Sequence, residues 1–246
     1  MRIATWNING GFISKEANLY TDENTGYIGE ELCKVRPDIV CLQETHVSES
    51  TNQSSMLAKI LGDYSHRTEV IGDSHIKDGE KLCISFLSKY KILTSKFHTL
   101  LNPNLTFVWN GVPAQSHEKG FLESILDYHG TQIRVLSGHM VPFWRFQKDF
   151  MEFHDIRKQI EDIICSSKIP TLLGADMNFD GNFVELLPKV FNTGYQLVLE
   201  NKPTTPVGQH FDKICISKDW KSSQSHIIQG RADHYMCYAD VELLDK

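Results

Sequence analysis

The chain has 246 residues, of which 41% are hydrophobic and 23% are charged, and its formal net charge is −6. This is the composition of an ordinary globular protein with enough apolar side chains for a substantial core. A net negative charge excludes a protein that binds nucleic acid through overall positive charge, so a local basic patch or bound metal cations must hold any polyanion.

Eight short runs rich in β-branched and aromatic residues predict strands along the chain. In chain order they are residues 2–8, 38–44, 81–88, 123–129, 131–139, 171–177, 213–217 and 235–244. Gly130, between the fourth and fifth runs, predicts the turn of a β-hairpin.

Three helices are predicted between these strands, at residues 27–36, 143–167 and 182–191. The first ends directly before Pro37, as helices usually do. The second spaces apolar side chains, among them Phe146, Phe150 and Ile156, by three and four residues, which is typical of an amphipathic helix. Pro188 interrupts the third.

Two polar segments, residues 45–80 and 95–120, exceed the usual loop length of about 4–6 residues, so we expect short helices or functional loops there. No linker divides the chain, and we predict one α/β domain over residues 1–246. Hairpins mixed with helices argue against a purely parallel sheet.

None of the six cysteines forms a CxxC pair, and most lie in apolar runs, which predicts buried free thiols. The start of the chain, MRIATWNING, lacks the apolar stretch of a signal peptide. No apolar run reaches the roughly 18 residues needed to span a bilayer. We therefore expect a cytoplasmic protein without membrane insertion and infer no obligate protein partner.

Polar side chains that can bind a metal or carry a proton recur where the predicted strands begin or end. They are Asn7, Glu44, His139, Asp176, Asn178, Asp212, Asp233 and His234. Taken singly, each has another explanation: a solvent-exposed charge for Glu44, a core histidine for His139, and a surface turn for residues 233–234. Asp176 and Asn178 would share one face of an extended chain, or they would form a polar turn. Their recurrence in one chain predicts a common site.

Asn, Asp and Glu supply the oxygen ligands that Mg²⁺ or Mn²⁺ prefers. The sequence has neither HExxH nor a Cys/His zinc spacing, and it lacks GxxxxGK[ST], GxGxxG and GxSxG. Two histidines with carboxylate partners beside an oxygen-rich metal site fit the hydrolysis of a phosphate ester.

Seven segments, in this order along the chain, resemble the endonuclease/exonuclease/phosphatase superfamily with its DNase I-like fold. They are ATWNING, PDIVCLQET, ISFLSKYKI, VLSGHM, LLGADMNFD, HFDKICIS and ADHYMCYADV. The resemblance implies a four-layered α/β sandwich in which two mixed β-sheets pack face to face and are flanked by helices. It also implies one active-site cleft where the strand ends converge.

The resemblance implies a role for each matching residue. Glu44 corresponds to the principal metal ligand, with Asn7 and Asp233 beside it. Asp176 corresponds to the residue that orients or deprotonates the attacking water. Asn178 corresponds to the donor that stabilises the phosphate oxyanion.

The resemblance also implies the branch of the superfamily. His234 would contact the phosphate, while Asp212 would fix its tautomer. His139 stands where the AP-endonuclease branch usually has Tyr, so the chain is similar to the His-type branch. Glu80 is the counterpart of the glutamate that supports this histidine in DNase I.

The predicted activity is a metal-dependent phosphodiesterase, with nucleic acid as the favoured substrate. Residues 202–231, which include Lys213, carry more basic than acidic side chains and could contact phosphates. Phe143 or Trp144 could stack on a base, although both also fit the start of a helix. The same chemistry fits a phosphotyrosyl–nucleic acid adduct, a nucleotide, sphingomyelin or an inositol phosphate. A catalytically inactive binding module is a third reading.

Overall fold

The computed structural model describes residues 1–16, 19–109, 112–199 and 202–244. In chain order the strands are β1 (Arg2–Asn7), β2 (Phe12–Glu16), β3 (Leu19–Glu23), β4 (Ile39–Val47), β5 (Ser65–Asp73), β6 (Lys81–Ser88), β7 (Lys91–Thr99), β8 (Thr106–Trp109), β9 (Val112–Gln115), β10 (Gly120–Tyr128), β11 (Thr131–His139), β12 (Thr171–Asp176), β13 (Gln196–Leu197), β14 (Asp212–Ile216), β15 (Trp220–Ile228) and β16 (Met236–Leu243). The α-helices are α1 (Thr25–Val35), α2 (Gln53–Ile60), α3 (His154–Cys165), α4 (Phe183–Leu186) and α5 (Pro188–Asn192).

Two six-stranded sheets form the centre of the fold. The strand order is β15-β16-β1-β4-β6-β5 in the first sheet and β13-β14-β12-β11-β10-β7 in the second. β1 is parallel to β4 and β11 is parallel to β12, whereas the other neighbours within these sheets are antiparallel. Both sheets are therefore mixed.

Alternating side chains along the inner strands build separate layers of core, because successive residues of a strand point to opposite faces. Leu172 of β12 packs between the two sheets, and its neighbour Leu173 packs on the outer side with α3 and α5. In the same way, Ile39 of β4 faces the second sheet and Val40 faces α1 and α2. The order of layers is helices, sheet, sheet, helices, which confirms the predicted four-layered sandwich.

The first predicted helix is confirmed, with clear signals at both ends. The Asn24 side chain accepts a hydrogen bond from the Tyr27 backbone N–H at the start of α1, which is a standard N-cap. Arg36 takes a left-handed conformation after the last turn, and Pro37 then prevents continuation.

The predicted helix 143–167 is wrong in its first half. Residues 143–146 and 150–152 form two short 3₁₀ turns, and the α-helix begins only at His154. Gln147 ends the first turn with a φ of 54°. The phenylalanines of both turns still pack in the core. A 3₁₀ helix has three residues per turn, so side chains three positions apart, such as those of Phe143 and Phe146, lie on the same side of it.

The polar segment 45–80 contains α2 and β5, and the segment 95–120 contains the end of β7 and the β8–β9 hairpin. The edge strands β5, β7, β13 and β15 were not among the predicted strands. All six cysteines are free thiols, as predicted, and four of them are buried, whereas Cys33 and Cys165 are only partly buried. None of the helices in the described part of the chain is long and apolar enough to cross a membrane.

Candidate active site

One cavity of about 730 Å³ lies where central strands of both sheets end. Eight of the residues singled out in the sequence line this cavity: Asn7, Glu44, His139, Trp144, Asp176, Asn178, Asp233 and His234. Asp212 stands behind His234 and is hydrogen-bonded to it. The fold thus brings together side chains that are more than 200 positions apart in the chain.

The register of the second sheet aligns three of these residues across neighbouring strands. His139 at the end of β11 lies opposite Asp176 at the end of β12. Asp176 in turn lies opposite Asp212 at the start of β14. Residues opposite each other on adjacent strands lie about 5 Å apart, so strand pairing alone places these three groups side by side.

The first sheet contributes Asn7 and Glu44 from its two parallel strands. β1 ends at Asn7, and Glu44 sits at an irregularity of β4 where the pairing with β6 shifts register. Glu44 has a φ of 55°, a left-handed conformation that non-glycine residues rarely adopt. A bulge of this kind redirects one side chain out of the regular alternation.

Asp176 is held from two sides. Its Oδ2 accepts a hydrogen bond from Asn7 Nδ2 at 3.0 Å, and its Oδ1 accepts one from the Asn178 backbone N–H at 2.9 Å. Burial, with the nearby Asp212 carboxylate adding repulsion, raises the pKa of Asp176. A fixed carboxylate of raised pKa is a competent proton acceptor.

His234 carries positive charge beside this carboxylate. Its Nδ1 donates to Asp212 Oδ2 at 2.8 Å, and its Nε2 lies 3.8 Å from Asp176 Oδ2. Burial works against protonation, but the Asp212 and Asp176 carboxylates raise the pKa of His234 well above its usual value. The imidazolium can therefore donate from Nε2 to an anion in the cavity.

His139 has a lysine as its nearest polar neighbour. The Nζ of Lys119 lies 3.0 Å from Nδ1 and 3.1 Å from Nε2 of the ring. Burial and this ammonium lower the pKa of His139 well below its usual value. On the other side, His139 Nε2 lies 3.6 Å from Glu44 Oε1 and from Asp176 Oδ2.

The oxygen donors around Glu44 fit a divalent cation. Asp233 Oδ1 is buried and has no hydrogen-bond partner among the described residues. Burial, together with repulsion from Glu44 and Asp176, raises the pKa of Asp233 to about 7. A bound cation would satisfy this orphaned oxygen, and Glu44, Asn7 and Asp233 are the oxygen donors that Mg²⁺ or Mn²⁺ prefers.

A second group of residues could also hold a metal. Asp176, Asp212 and His234 each place one ligand atom within 4.8 Å of the others. Asp212 and His234 also share a hydrogen bond between Oδ2 and Nδ1 at 2.8 Å.

Asn178 and Trp144 connect the polar floor to an aromatic wall. Asn178 Nδ2 donates to the Met140 carbonyl at 3.0 Å, which leaves its second N–H available. Asn178 Oδ1 accepts from Trp144 Nε1 at 3.3 Å. The Trp144 ring stacks on Phe211 with centroids 5.6 Å apart, and 44% of Trp144 is exposed.

Three expected substrate contacts do not fit the structure. Phe143 is buried and stacks on Phe150. It belongs to the hydrophobic core that the second sheet shares with α3, so it cannot stack on a base. Lys213 lines a separate cavity, and its Nζ donates to the His210 carbonyl. Asp212, the preceding residue of β14, also lines that second cavity.

The third is Glu80, which was expected to support His139. Its carboxylate instead lies 3.2 Å from His46 Nδ1 and 2.9 Å from Lys77 Nζ. His46 also contacts Ser74 Oγ through Nε2 at 3.1 Å. The contacts of Glu80 with Lys77 and His46 therefore stabilise the turn at residues 74–80. His75, in this turn, lines the cavity.

Sequence reasoning missed four basic residues that line the cavity: His75, His117, Lys119 and Arg145. None of them ends a predicted strand, and none belongs to a motif. Lys119 directly precedes β10 in the structure, but it lies four positions before the predicted run 123–129, so the sequence does not mark it as a strand-end residue.

A model of the Endonuclease/Exonuclease/phosphatase family matches residues 4–228, nearly the whole chain. A search of curated proteins found no match. Solved structures provide several matches with the same fold. An endonuclease/exonuclease/phosphatase from Beutenbergia cavernae superposes with a TM-score of 0.76 at 15% identity, covering 99% of this chain and 71% of that one.

Two other structural matches differ in what their names say. TDP2 from D. rerio, complexed with a single-strand DNA product, has a TM-score of 0.67 at 15% identity, with 98% of both chains covered. The mannosyl-6-phosphatase Bt3783 from Bacteroides thetaiotaomicron has a TM-score of 0.64 at 13% identity, covering 99% of this chain and 100% of that one. At these identities the likeness concerns the fold alone.

Proposed function

The chain belongs to the endonuclease/exonuclease/phosphatase family, whose members are hydrolases that act on phosphate esters. From this membership we propose that the protein hydrolyses a phosphate ester with a water molecule activated at Asp176, in the presence of Mg²⁺ or Mn²⁺. One observation carries the proposal. The buried Asp176 carboxylate lines the cavity and accepts a hydrogen bond from Asn7. It also lies within 4 Å of both His139 and His234.

In this mechanism Asp176 accepts the proton of the attacking water. Its two hydrogen bonds, from Asn7 and from the Asn178 backbone, fix the orientation of the carboxylate. The carboxylate therefore does not have to rotate before it accepts the proton. Burial, together with repulsion from Asp212, raises the pKa of Asp176 and so strengthens it as a base.

In the proposed complex, hydrogen-bond donors of the cavity surround the scissile phosphate of the substrate. His234, oriented and charged by Asp212, donates to one phosphate oxygen through Nε2. The second N–H of Asn178 and the His139 ring line the same cavity and stabilise charge that develops on the other oxygens. Glu44, Asn7 and Asp233 would hold the divalent cation, which would supply Lewis acidity when bound.

Nucleic acid is the proposed substrate class. The stacked rings of Trp144 and Phe211 give the cavity an aromatic wall next to Asn178, and aromatic faces stack on bases of any sequence. The complex of the structurally similar TDP2 with single-strand DNA is consistent with such a substrate.

A small phosphate ester is the second candidate. A volume of about 730 Å³ lies within the usual range for a small-molecule pocket. The structurally similar mannosyl-6-phosphatase supports this alternative.

A substrate panel tests the proposal. Single- and double-stranded DNA, RNA, a 5′-phosphotyrosyl oligonucleotide, mononucleotides, mannose 6-phosphate, sphingomyelin and inositol phosphates are each incubated with Mg²⁺, Mn²⁺ or EDTA. We expect metal-dependent release of product from at least one nucleic acid. Turnover confined to a small ester would favour the second candidate, and the absence of hydrolysis with either metal would overturn the proposed activity.

A further inference from the structure

One wall of the cavity is basic, and the proposed reaction leaves much of it unused. Lys119, His117, His75 and Arg145 line this wall. His75 and His117 lie close together, with ring centroids 6.2 Å apart. His117 and Lys119 are two positions apart on one short segment, between β9 and β10.

Lys119 holds a buried charge without a carboxylate partner. Only 4% of the residue is exposed, and its Nζ contacts the two ring nitrogens of His139. None of the ion pairs in the described part of the chain includes Lys119. Burying an ammonium costs several kcal/mol unless an anion or hydrogen-bond partners compensate it. Glu44 and Asp176 favour the charged form without forming an ion pair with it, so an anion in the cavity would add a direct partner.

His117 presents a second unsatisfied group. Its Nε2 is buried and has no hydrogen-bond partner within the described ranges. Orphaned buried nitrogens are uncommon in native proteins, and at a cavity wall they are natural contacts for a ligand. Burial and the nearby Lys119 ammonium lower the pKa of His117 to about 3, and a hydrogen bond from its ring to the Gln115 backbone acts in the opposite direction. With that N–H engaged, an anion at Nε2 would favour the protonated ring, which donates from both nitrogens.

The basic wall adjoins the aromatic wall made by Trp144 and Phe211, because the Arg145 guanidinium lies over the Trp144 ring at 5.2 Å from its centroid. A substrate whose phosphate is bound at Asp176 and His234 would therefore find a surface for a flat ring and an adjoining surface for an anion in one cavity. One ammonium, one guanidinium and two imidazoles exceed what a single carboxylate needs, whereas they match the charge and the several acceptor oxygens of a phosphate.

We propose that Lys119, His117 and His75, with Arg145 beside them, form a subsite for a second phosphate group of the substrate. The protein then prefers substrates that carry a phosphate next to the scissile one. Two sources share this chemistry: a nucleoside bisphosphate and the neighbouring phosphodiester of a nucleic acid strand. The inference rests on the proposed phosphoesterase activity and specifies its substrate class.

Three chromogenic esters test the subsite, because all release p-nitrophenol from the same kind of phosphate. The first is thymidine 5′-(p-nitrophenyl phosphate). The second carries an additional 3′-phosphate, and in the third this phosphate is esterified to another nucleoside. We expect KM to be about 10- to 100-fold lower for the esters with a second phosphate, the effect of one or two charge-assisted hydrogen bonds.

Two variants locate the effect. His117→Phe keeps a ring but removes the N–H, and it should abolish most of the KM advantage while leaving kcat/KM for the first ester within about twofold. His154→Phe makes the same exchange at an exposed position outside the cavity and should leave the advantage intact. Should His117→Phe fail to fold, inhibition of the wild-type protein by adenosine 3′,5′-bisphosphate and by AMP provides the same comparison, with at least tenfold stronger inhibition expected from the bisphosphate.

The outcomes distinguish a failure of the subsite from a failure of the proposed hydrolase activity. Equal kcat/KM for all three esters, or equal inhibition by the two nucleotides, would overturn the subsite and leave the hydrolase intact. A benefit limited to the second ester assigns the subsite to a free bisphosphate, and an equal benefit for the third assigns it to a nucleic acid strand. Hydrolysis of none of the esters, with both nucleotides failing to bind in a calorimetric titration, would overturn the subsite and count against the activity.

Discussion

At the scale of single residues, Asp176 and Asn178 illustrate how two interpretations of a sequence can both hold. The spacing predicted a shared face of a strand or, alternatively, a polar turn. β12 ends at Asp176, and the Asn178 backbone N–H donates to the Asp176 side chain, which is the hydrogen bond of an Asx turn. The turn itself, with a φ of 48° at Asn178, places both side chains on the cavity.

Other residues at this scale could not be predicted because their role depends on tertiary position. The resemblance to DNase I implied Glu80 as a partner for His139, but the structure places the Glu80 carboxylate next to His46. Lys119 carries no local signal, and its contact with His139 arises only through the pairing of β10 with β11. Polar strand ends are visible in a sequence, whereas their neighbours on other strands are not.

Glu44→Gln tests the metal ligand. The change removes one negative charge from the oxygen donors around Asp233, so about tenfold or more Mn²⁺ should be needed for half-maximal activity. Glu49→Gln, an exposed exchange a few residues further on, serves as the control. Titration of activity with Mn²⁺ measures both, and superimposable curves for Glu44→Gln and the wild type would exclude Glu44 as a ligand.

Lys119 should give the activity an alkaline limit. Burial lowers the pKa of Lys119 to about 8, so the side chain loses its proton as the pH rises through that value. Since the neutral amine no longer attracts an anionic substrate, kcat/KM should fall above about pH 8. In Lys119→Arg, whose guanidinium stays charged, this fall should move to higher pH. An unchanged alkaline limb in that variant would show that another group causes it.

At the scale of elements, the eight predicted strands correspond to the inner strands of the two sheets, and the edge strands were missed. β5, β15, β7 and β13 are the edges. Inner strands are covered on both sides and carry apolar runs such as the buried TLLGAD. Edge strands face water and are rich in polar residues, as in WKSSQSHII of β15. Their pairing is decided by the neighbouring strand and leaves little trace in their own sequence.

Arg134 joins two elements at the centre of the second sheet. Its guanidinium donates to the Glu123 carboxylate on β10 and to the Ile163 and Ile164 carbonyls at the end of α3, and only 1% of its side chain is exposed. The arginine thus ties a sheet to the C-terminus of a helix, where carbonyls otherwise lack partners.

Arg134→Met should therefore reduce the free energy of unfolding by about 3–5 kcal/mol, because it removes the donor of two helix carbonyls and leaves His98 as the partner of the Glu123 carboxylate. Arg67→Met, on the exposed edge strand β5, should change it by less than about 0.5 kcal/mol. Urea denaturation measures both. Equal stability of the two variants would mean that the buried arginine contributes little, and activity per folded molecule should be preserved in each.

At the scale of the whole molecule, the site exists because two sheets meet. The first sheet supplies Asn7 and Glu44, and the second supplies His139 and Asp176. The sheets approach closely just below the cavity at Gly174, where a Cβ atom would come within 2.9 Å of Cys41 Sγ. The Asn7–Asp176 hydrogen bond bridges the two sheets at 3.0 Å. The geometry of the proposed base therefore depends on the packing of the entire sandwich.

The most direct test of the central claim is kcat of Asp176→Asn for a hydrolysed phosphate ester at saturating Mn²⁺. If Asp176 activates the water, kcat should fall by about 10²–10⁴-fold, with KM and the melting temperature little changed. Asp180→Asn, an exposed carboxylate four residues later, should retain normal kcat. A kcat near that of the wild type in Asp176→Asn, or a loss explained by a lower fraction of folded protein, would contradict the account.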